Sequence, residues 1–380
     1  MNKKIYESVF WRKRKIIIPC IIILIVIICS YVYVVREKNK VFKSYKVKNK
    51  VEVDSKIQSK YQEFEGGILR YSSDGISFYK NGREVFNKAV QMTSPVVDVR
   101  GSYIVMAERK STQISLFDVK GNQVNVTATH AIIDITVSEN GVIAAILDDG
   151  TANYIELYDK NGVKLVSGRT VLEGDGYPIS IALSGDATRL IASYLAISEG
   201  QAQSKVIFYN YSSVGENEVD RIVGGFNQYK DSIVPEVNFI NNKTAVAVGD
   251  NMFTIYQIDE KPSIQYEQEF DGKVETVFYS SQYIGIVFES NDQSYAHVIK
   301  VYDKNGKKVY TKSTDFNYSD ISFAGENIVM NDERTCLMYS FQDKERFNKT
   351  FETKIVKLVP VSDRKFIFVS DNEIQEIELK

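Results

Sequence analysis

The apolar positions of the chain alternate with polar ones in short segments that end on an aromatic residue and are followed by a turn. The register is Val/Ile-x-Φ-Tyr/Phe, where Φ is apolar, and 37–51 residues separate successive aromatic positions. It recurs at Ile76–Tyr79, Ile114–Phe117, Ile155–Tyr158, Ile207–Tyr209, Thr254–Tyr256, Ile299–Tyr302, Leu337–Tyr339 and Ile374–Ile377. Short alternating strands repeated at this interval are typical of β-propeller blades.

One repeat between residues 131 and 171 shows how each unit is built. It contains four short alternating segments: Ile132–Val137, Val142–Leu147, Tyr154–Tyr158 and Val163–Arg169. The last two are joined by Asp159-Lys160-Asn161-Gly162, in which Asn-Gly supplies the positive φ angles that a tight hairpin needs. No apolar stripe at helical spacing follows residue 61, so the sequence predicts an all-β domain.

Eight such repeats can be placed along the chain. Their predicted bounds are 60–92, 95–128, 131–171, 178–226, 233–270, 273–314, 319–352 and 354–380. The last repeat holds only three strands, and we expect Lys48–Asp54 to supply its outer strand, which would close the ring and leave no open sheet edge. The predicted fold is an eight-bladed β-propeller, with seven blades as the alternative.

The segment ahead of the repeats is apolar. Residues 16–35 carry no charge and are long enough to cross the roughly 30 Å hydrocarbon core of a bilayer as a helix. A cleaved signal peptide is the alternative, but residues 29–33 offer no Ala-x-Ala-like cleavage site. We therefore predict four segments: a basic cytoplasmic tail over 1–15, a transmembrane helix over 16–35, a basic linker with the ring-closing strand over 36–60, and the propeller over 61–380.

Charge is divided unevenly along the chain. Residues 1–50 have a net charge of +11, and the remaining residues have a net charge of −13. Lysines and arginines lie on both sides of the apolar segment, so their count does not set its direction. Because long domains translocate largely regardless of charge, we expect a cytoplasmic N-terminus and a propeller outside the cell membrane. The acidic propeller argues against nucleic acid as a partner, since phosphates are bound by Lys and Arg.

Residues with catalytic or metal-binding chemistry are few. His130 and His297 have no His, Cys or Glu at metal-ligand spacing. Cys336 stands at the start of a predicted strand, where a packed thiol is expected. The carboxylates are too numerous for any pair of them to identify a glycosidase. We predict no catalytic residue, no metal site and no cofactor.

One pattern indicates binding. The turns between second and third strands should all open on one face of the ring, and in this chain they contain eleven acids and three bases. The candidate residues on this acidic rim are Asp148, Asp149, Glu289, Asp292, Asp332 and Glu333. The turns expected on the opposite face carry lysines beside their acids. Turns favour Asp for backbone reasons, which is a second explanation of the bias, but an acidic rim would also attract cationic partners.

Two turns resemble those of known propellers. Residues 138–144 (Ser-Glu-Asn-Gly-Val-Ile-Ala) and 183–192 (Leu-Ser-Gly-Asp-Ala-Thr-Arg-Leu-Ile-Ala) are similar to the Ser-x-Asp-Gly-x-x-Ile-Ala turn of WD40-like and quinoprotein-like propellers. The Gly-His and Trp-Asp dipeptides of true WD40 repeats are absent from the sequence. A basic N-terminus, one span and a Tyr-rich propeller together resemble an uncharacterised domain-of-unknown-function family of membrane-anchored propellers in Gram-positive bacteria. The resemblance implies the fold and the anchor, and it brings no functional residues.

These observations predict a membrane-anchored, extracytoplasmic β-propeller that binds a protein or a cell-envelope ligand through its acidic rim. The alternative is a cell-envelope enzyme, either a glycan-cleaving or a quinone-cofactor propeller. An enzyme would need convergent polar groups in the central channel, and no sequence motif indicates them. The sequence therefore favours a binding module, but it does not identify the ligand, because propellers serve many functions.

Overall fold

The prediction of an eight-bladed propeller is confirmed by the computed structural model of the chain. The structure describes residues 23–30, 32, 36–37, 39–54, 58–171, 176–198, 200–270 and 272–380. These residues form eight antiparallel sheets of four strands each. The first strands of neighbouring blades lie in contact around the centre of the ring.

Each blade consists of strands that are consecutive in sequence, with one exception. The exception is β1 (Tyr45–Glu52), which is the outer strand of blade 8. Blades 1 and 2 contain β2 (Lys60–Phe64), β3 (Gly67–Ser72), β4 (Gly75–Lys80) and β5 (Arg83–Ala89), then β6 (Pro95–Arg100), β7 (Tyr103–Glu108), β8 (Gln113–Asp118) and β9 (Gln123–Thr127). Blades 3 and 4 contain β10 (Ala131–Val137), β11 (Ile143–Asp148), β12 (Ala152–Tyr158) and β13 (Lys164–Val171), then β14 (Tyr177–Leu183), β15 (Arg189–Ser198), β16 (Gln201–Asn210) and β17 (Ile222–Phe226).

The second half of the ring follows the same plan. Blades 5 and 6 contain β18 (Glu236–Asn241), β19 (Thr244–Val248), β20 (Met252–Ile258) and β21 (Pro262–Glu269), then β22 (Val274–Tyr279), β23 (Tyr283–Glu289), β24 (His297–Asp303) and β25 (Lys308–Thr314). Blades 7 and 8 contain β26 (Asp320–Ala324), β27 (Asn327–Asn331), β28 (Thr335–Ser340) and β29 (Glu345–Thr350), then β30 (Lys357–Pro360), β31 (Lys365–Val369) and β32 (Glu373–Leu379). Two short 3-10 helices, Gly215–Asn217 and Val219–Arg221, precede the outer strand of blade 4.

The aromatic residues of the repeat lie in the third strand of their blades and face the neighbouring blade. Those that are buried are Tyr79, Phe117, Tyr158, Tyr209, Tyr256 and Tyr302. Alternation places every second residue of a strand on the same face of the sheet, so each face of a blade presents one apolar set. Among the described residues these sets form eight core clusters, one at each interface between successive blades.

The ring closes where β1 pairs with β32. The strands are antiparallel, with Tyr45 opposite Leu379 and Val51 opposite Ile374. Val51 also packs against the cluster between blades 8 and 1. The prediction that a segment ahead of residue 61 supplies the missing outer strand is confirmed, and the strand begins three residues earlier than predicted.

Residues between Glu37 and Phe42 are held on blade 7 by a buried arginine. Arg346 is 2% exposed, and its guanidinium donates hydrogen bonds to Glu37 O (2.8 Å), Lys40 O (3.0 Å) and Asn327 Oδ1 (3.0 Å). The ring of Phe42 is buried 5.2 Å from this guanidinium. Burial of a Phe side chain stabilises a fold by about 1.5–3 kcal/mol, and the cation–π contact adds to it. This arrangement, which we call the linker clamp, makes the first residues of the predicted linker a part of the folded domain.

The predicted cytoplasmic tail and much of the predicted transmembrane helix lie outside the described residues. Residues 23–30 are helical, and the apolar side chains among them are 51–59% exposed. Within the part of the chain that the structure describes, no apolar helix is long enough to span a bilayer.

Loss of β1 should destabilise the whole ring. A chain lacking residues 1–52 exposes the apolar residues of β32 and leaves an unpaired sheet edge, whereas a chain lacking residues 1–38 keeps β1 and Phe42. We expect the thermal midpoint of the shorter chain to be lower by about 5 °C or more, as measured by circular dichroism. Equal midpoints would show that the ring closes without β1.

Candidate ligand-binding face

The strand order gives the propeller two faces. The distal face carries the turns between second and third strands and the connections between blades. The linker face carries the turns between first and second strands and between third and fourth strands, together with residues 39–44 and Lys380. All six predicted rim residues lie on the distal face, in blades 3, 6 and 7. They share this face without forming one cluster, because blades 4 and 5 separate blade 3 from blade 6.

Three rim aspartates accept hydrogen bonds from the main chain of their own turns. Asp149 Oδ1 accepts from the amides of Thr151 (2.8 Å) and Ala152 (2.7 Å). Asp332 and Asp292 cap their turns in the same way, at 2.6 Å to Arg334 N and 2.9 Å to Ser294 N. These main-chain amides hold the pKa of Asp149 and of Asp292 below its usual range. The turns therefore fix all three carboxylates in position, and the amide hydrogen bonds favour the ionised form of Asp149 and Asp292.

The other three rim residues are less uniform. Asp148 Oδ1 accepts from the amide of Gly150 (2.7 Å). Glu333 forms an exposed ion pair with Lys354 at 2.9 Å, and such pairs contribute little to stability. Glu289 ends β23 with its side chain exposed. The rim residues thus share a face and a charge, and four of the six have turn capping as a structural role.

Capping alone does not distinguish the two faces. On the linker face, Asp118, Asp159 and Asp303 also accept amide hydrogen bonds in their turns. Each of those turns carries a lysine one or two residues after the aspartate: Lys120, Lys160 and Lys304. The distal turns over 148–151 and 290–294 contain no basic residue. The third capped distal turn, over 332–335, contains Arg334 beside two acids, so each of the three distal turns keeps a net negative charge.

Polar side chains on the inner strands bind neighbouring blades to one another around the central channel. Asp98 Oδ2 accepts from Thr136 Oγ1 and from Val137 N, both at 2.8 Å, which joins blade 2 to blade 3. Arg100 lies at the linker-face end of β6 and crosses the channel. It donates to Leu183 O (2.8 Å) in blade 4 and to Asn238 Oδ1 (3.2 Å) in blade 5.

Acids on the inner strands are paired or partly buried. Asp320 forms an ion pair with Lys357 of the next blade at 2.8 Å, and Glu275 Oε2 lies 2.7 Å from His297 Nδ1. Asp134 is largely buried on β10, and burial raises the pKa of its carboxyl to about 6, although the amide of Ile135 and other neighbours favour the ionised form. These residues were not predicted from the sequence. An acid inside an apolar strand, as in Val96-Val97-Asp98-Val99 and Ile132-Ile133-Asp134-Ile135, was the available signal.

The structure gives the remaining candidates packing roles. The ring of His130 stacks on Tyr154 at 4.5 Å between centroids. Cys336 is 1% exposed, and burial raises the pKa of its thiol to about 12, so it stays protonated and is a poor nucleophile at neutral pH. Among the described residues, no three His, Cys, Asp or Glu side chains are grouped closely enough to hold a metal ion.

Comparison with known proteins identifies the family. A family described as "Family of unknown function (DUF5711)" matches residues 38–379. The chain belongs to this family. The match begins at the linker clamp and includes β1, in agreement with their place in the folded domain. No curated protein matches the sequence.

Solved structures of similar fold share little sequence with this DUF5711 chain. BamB from Moraxella catarrhalis has a TM-score of 0.56 and 12% identity, and the match covers 88% of this chain and 100% of BamB. Sqt1 from Saccharomyces cerevisiae has a TM-score of 0.56 and 11% identity, with coverage of 90% and 99%. AztD from Citrobacter koseri has a TM-score of 0.54 and 8% identity, with coverage of 78% and 87%. At these identities the likeness supports the propeller fold alone.

The buried Asp134 should make stability depend on pH. Its pKa of about 6 in the folded chain is higher than the ordinary value of 3.8, so the folded state gains stability as pH falls from above 6 towards 4. Asn cannot ionise. We expect Asp134→Asn to raise the free energy of unfolding by about 1–3 kcal/mol at pH 8, and this gain to disappear near pH 4.

Urea unfolding at pH 8, 6 and 4 measures this effect. Asp118→Asn is the matched control, because hydrogen bonds to Asn122 and Lys120 outweigh its partial burial and lower the pKa of Asp118. The control should show no gain at pH 8. A gain for Asp134→Asn that is the same at every pH would contradict the assignment.

Proposed function

We propose that the chain is a membrane-anchored, extracytoplasmic propeller whose distal face binds a cationic segment of a protein or another cationic cell-envelope ligand. The observation that carries the proposal is the contrast between the two sets of capped turns. Both sets hold aspartate carboxylates in fixed positions, but the linker-face turns 118–122, 159–163 and 303–307 carry at least one lysine for each aspartate. The distal turns over 148–151 and 290–294 carry no base, and the turn over 332–335 carries Arg334 against two acids. A fixed and exposed set of carboxylates with a net negative charge favours cationic partners and speeds their encounter.

The position of the linker clamp supports an anchor on the opposite side from this surface. The described residues 39–44 leave the domain on the linker face, beside blades 7 and 8. A transmembrane helix over 16–35 would therefore turn the linker face towards the membrane and leave the distal face open to partners. The apolar segment and the family resemblance favour the cell membrane of a Gram-positive bacterium, with a cytoplasmic N-terminus.

Matched variants test the binding face. In one full-length chain Asp149, Asp292 and Asp332 are changed to Asn, and in the other Asp118, Asp159 and Asp303 are changed to Asn. Both variants lose three charges and keep a side-chain oxygen that can cap the turn. Partners are cross-linked to each chain in detergent-solubilised membranes and are captured together with it. We expect only the distal variant to lose partners, and the capture that remains to depend less on salt concentration. Further neutralisation of Asp148, Glu289 and Glu333 should deepen the loss.

Two results would contradict the proposed face. Capture by the distal variant that matches the unmodified chain at low and high salt would mean that the rim carboxylates serve their turns alone. Equal losses in the two variants would mean that the propeller attracts partners through its overall charge. Circular dichroism of both variants checks that the turns remain folded.

The anchor is tested separately. After membranes are washed with alkaline carbonate, the full chain should remain in the pellet, because residues 16–35 are long and apolar enough to span. A chain lacking residues 1–38 keeps the propeller and should be released. Release of the full chain would contradict the anchor. The binding proposal would not be affected, because the rim variants test it separately.

A further inference from the structure

The distal face is uneven around blades 4, 5 and 6. In blade 4 the second and third strands, β15 and β16, have ten residues each, whereas the corresponding strands of the other blades have five to seven. In blade 6 the turn between these strands spans seven residues, 290–296, compared with two to four in the other blades. The turn of blade 5, over 249–251, has three. Two projections therefore flank a low surface over blade 5, which we call the blade 5 cleft.

The projecting hairpin of blade 4 turns an apolar side chain towards the cleft. β14 pairs with β15 only as far as Leu195, so three further residues carry the hairpin about 10 Å beyond the sheet. Ser193 Oγ donates to Val234 O (2.7 Å), and Val234 N donates to Ser204 Oγ (2.9 Å), so this face of the hairpin packs on the connection into blade 5. Ile197 lies four residues after Ser193 and therefore shares that face. It is 80% exposed.

The floor of the cleft holds a second apolar side chain in a fixed position. Ile233 N donates to Asp250 Oδ1 (3.1 Å), and Asp250 N donates to Ile233 O (3.1 Å). Ser232 Oγ donates to the same Asp250 oxygen (2.7 Å). Ile233 is nevertheless 36% exposed, while the adjacent Val234 is fully buried. The connection into blade 5 is therefore anchored on both sides of an exposed isoleucine.

Exposed apolar side chains are concentrated in this part of the distal face. Among the described residues of that face, four large apolar side chains are exposed: Ile197, Ile233, Tyr295 and Val356. The first three belong to the hairpin, the floor and the blade 6 turn of the cleft. Single exposed apolar residues are ordinary on protein surfaces, but a group of them on one part of a surface indicates a protein-binding site.

The cleft is also acidic. Its described residues over 227–236, 249–251, 269–270, 272–273 and 289–296 contain six acids and two bases, a net charge of −4. The acids are Asp231, Glu236, Asp250, Glu269, Glu289 and Asp292, and the bases are Lys230 and Lys273. An apolar centre inside a charged border is the usual arrangement of a protein interface. The sign of the charge disfavours anionic lipids and nucleic acids, and it complements lysine and arginine.

We propose that the blade 5 cleft docks a segment of another protein that combines apolar residues with lysine or arginine. The apolar side chains of this segment contact Ile197 and Ile233, and its basic side chains lie near Asp231, Glu289 and Asp292. The inference rests on the proposed function, because it names the place on the distal face and the kind of segment that this face binds.

The test measures the fluorescence anisotropy of two labelled peptides, Lys-Leu-Lys-Leu-Lys and Lys-Ser-Lys-Ser-Lys, with the full chain in nanodiscs of zwitterionic phosphatidylcholine. Empty nanodiscs correct for binding to lipid. The two peptides have the same charge, so they separate apolar contact from attraction by charge. We expect the leucine peptide to bind at least about tenfold more tightly than the serine peptide.

Single variants locate the site. Ile197→Ser and Ile233→Ser remove the two apolar contacts and keep every charge, so each should weaken binding of the leucine peptide by about fivefold and leave the serine peptide unchanged. Val219→Ser is the matched control, because Val219 is 83% exposed on the linker face, and it should change neither affinity. Asp231→Asn combined with Asp292→Asn should weaken both peptides at low salt.

Three results would overturn the inference. Equal affinities of the two peptides for the unmodified chain, including no binding of either, would show that the cleft does not select apolar residues. A leucine-peptide affinity that survives both serine variants would place the apolar contact elsewhere. Pairs of the detergent-solubilised chain, seen by mass photometry and separated by Ile197→Ser, would identify a second copy as the occupant. In each case the proposed function still stands if the distal aspartate variant loses its cross-linked partners.

Discussion

The pairing of β1 with β32 is the interaction on which the rest of the structure depends. Every other blade is built from consecutive strands, but blade 8 joins residues 45–52 to residues 373–379. This pairing supplies the outer strand that shields β32 and helps to build the cluster between blades 8 and 1. Phe42, which lies three residues ahead of β1, packs against the guanidinium of Arg346. The same N-terminal segment therefore closes the ring and attaches the linker to blade 7.

The proposed binding face rests on a departure from the repeat, because the repeat itself serves folding. Aspartates cap turns on both faces, yet the distal turns over 148–151 and 290–294 have no counterpart of the lysines that follow Asp118, Asp159 and Asp303. This difference in charge supports the proposal that the distal face is the one that recognises cationic partners.

The fold followed from the sequence because its determinants are local. Alternation with an aromatic near the end of seven of the eight third strands, as at Tyr158 and Tyr302, defines the buried faces and predicts eight blades. The linker clamp was not predictable, since Arg346 and Lys40 are separated by 306 residues and meet only in the closed ring. Arg100 is similar, because its partners lie in two other blades across the channel. The rim was located correctly on one face, but the capping role of Asp149 depends on turn geometry that sequence alone does not specify.

Hydrogen exchange of the full chain, measured by mass spectrometry, tests most directly whether the N-terminal segment closes and orients the propeller. Amides that donate hydrogen bonds within a sheet exchange only when the structure opens. If β1 closes the ring, the amides of residues 45–52 that pair with β32 should exchange far more slowly than in an unfolded peptide, and the protected region should extend to the amide of Phe42, which donates to Arg346 O. Exchange of residues 42–52 at the rate of an unfolded peptide, while the other strands stay protected, would contradict the account.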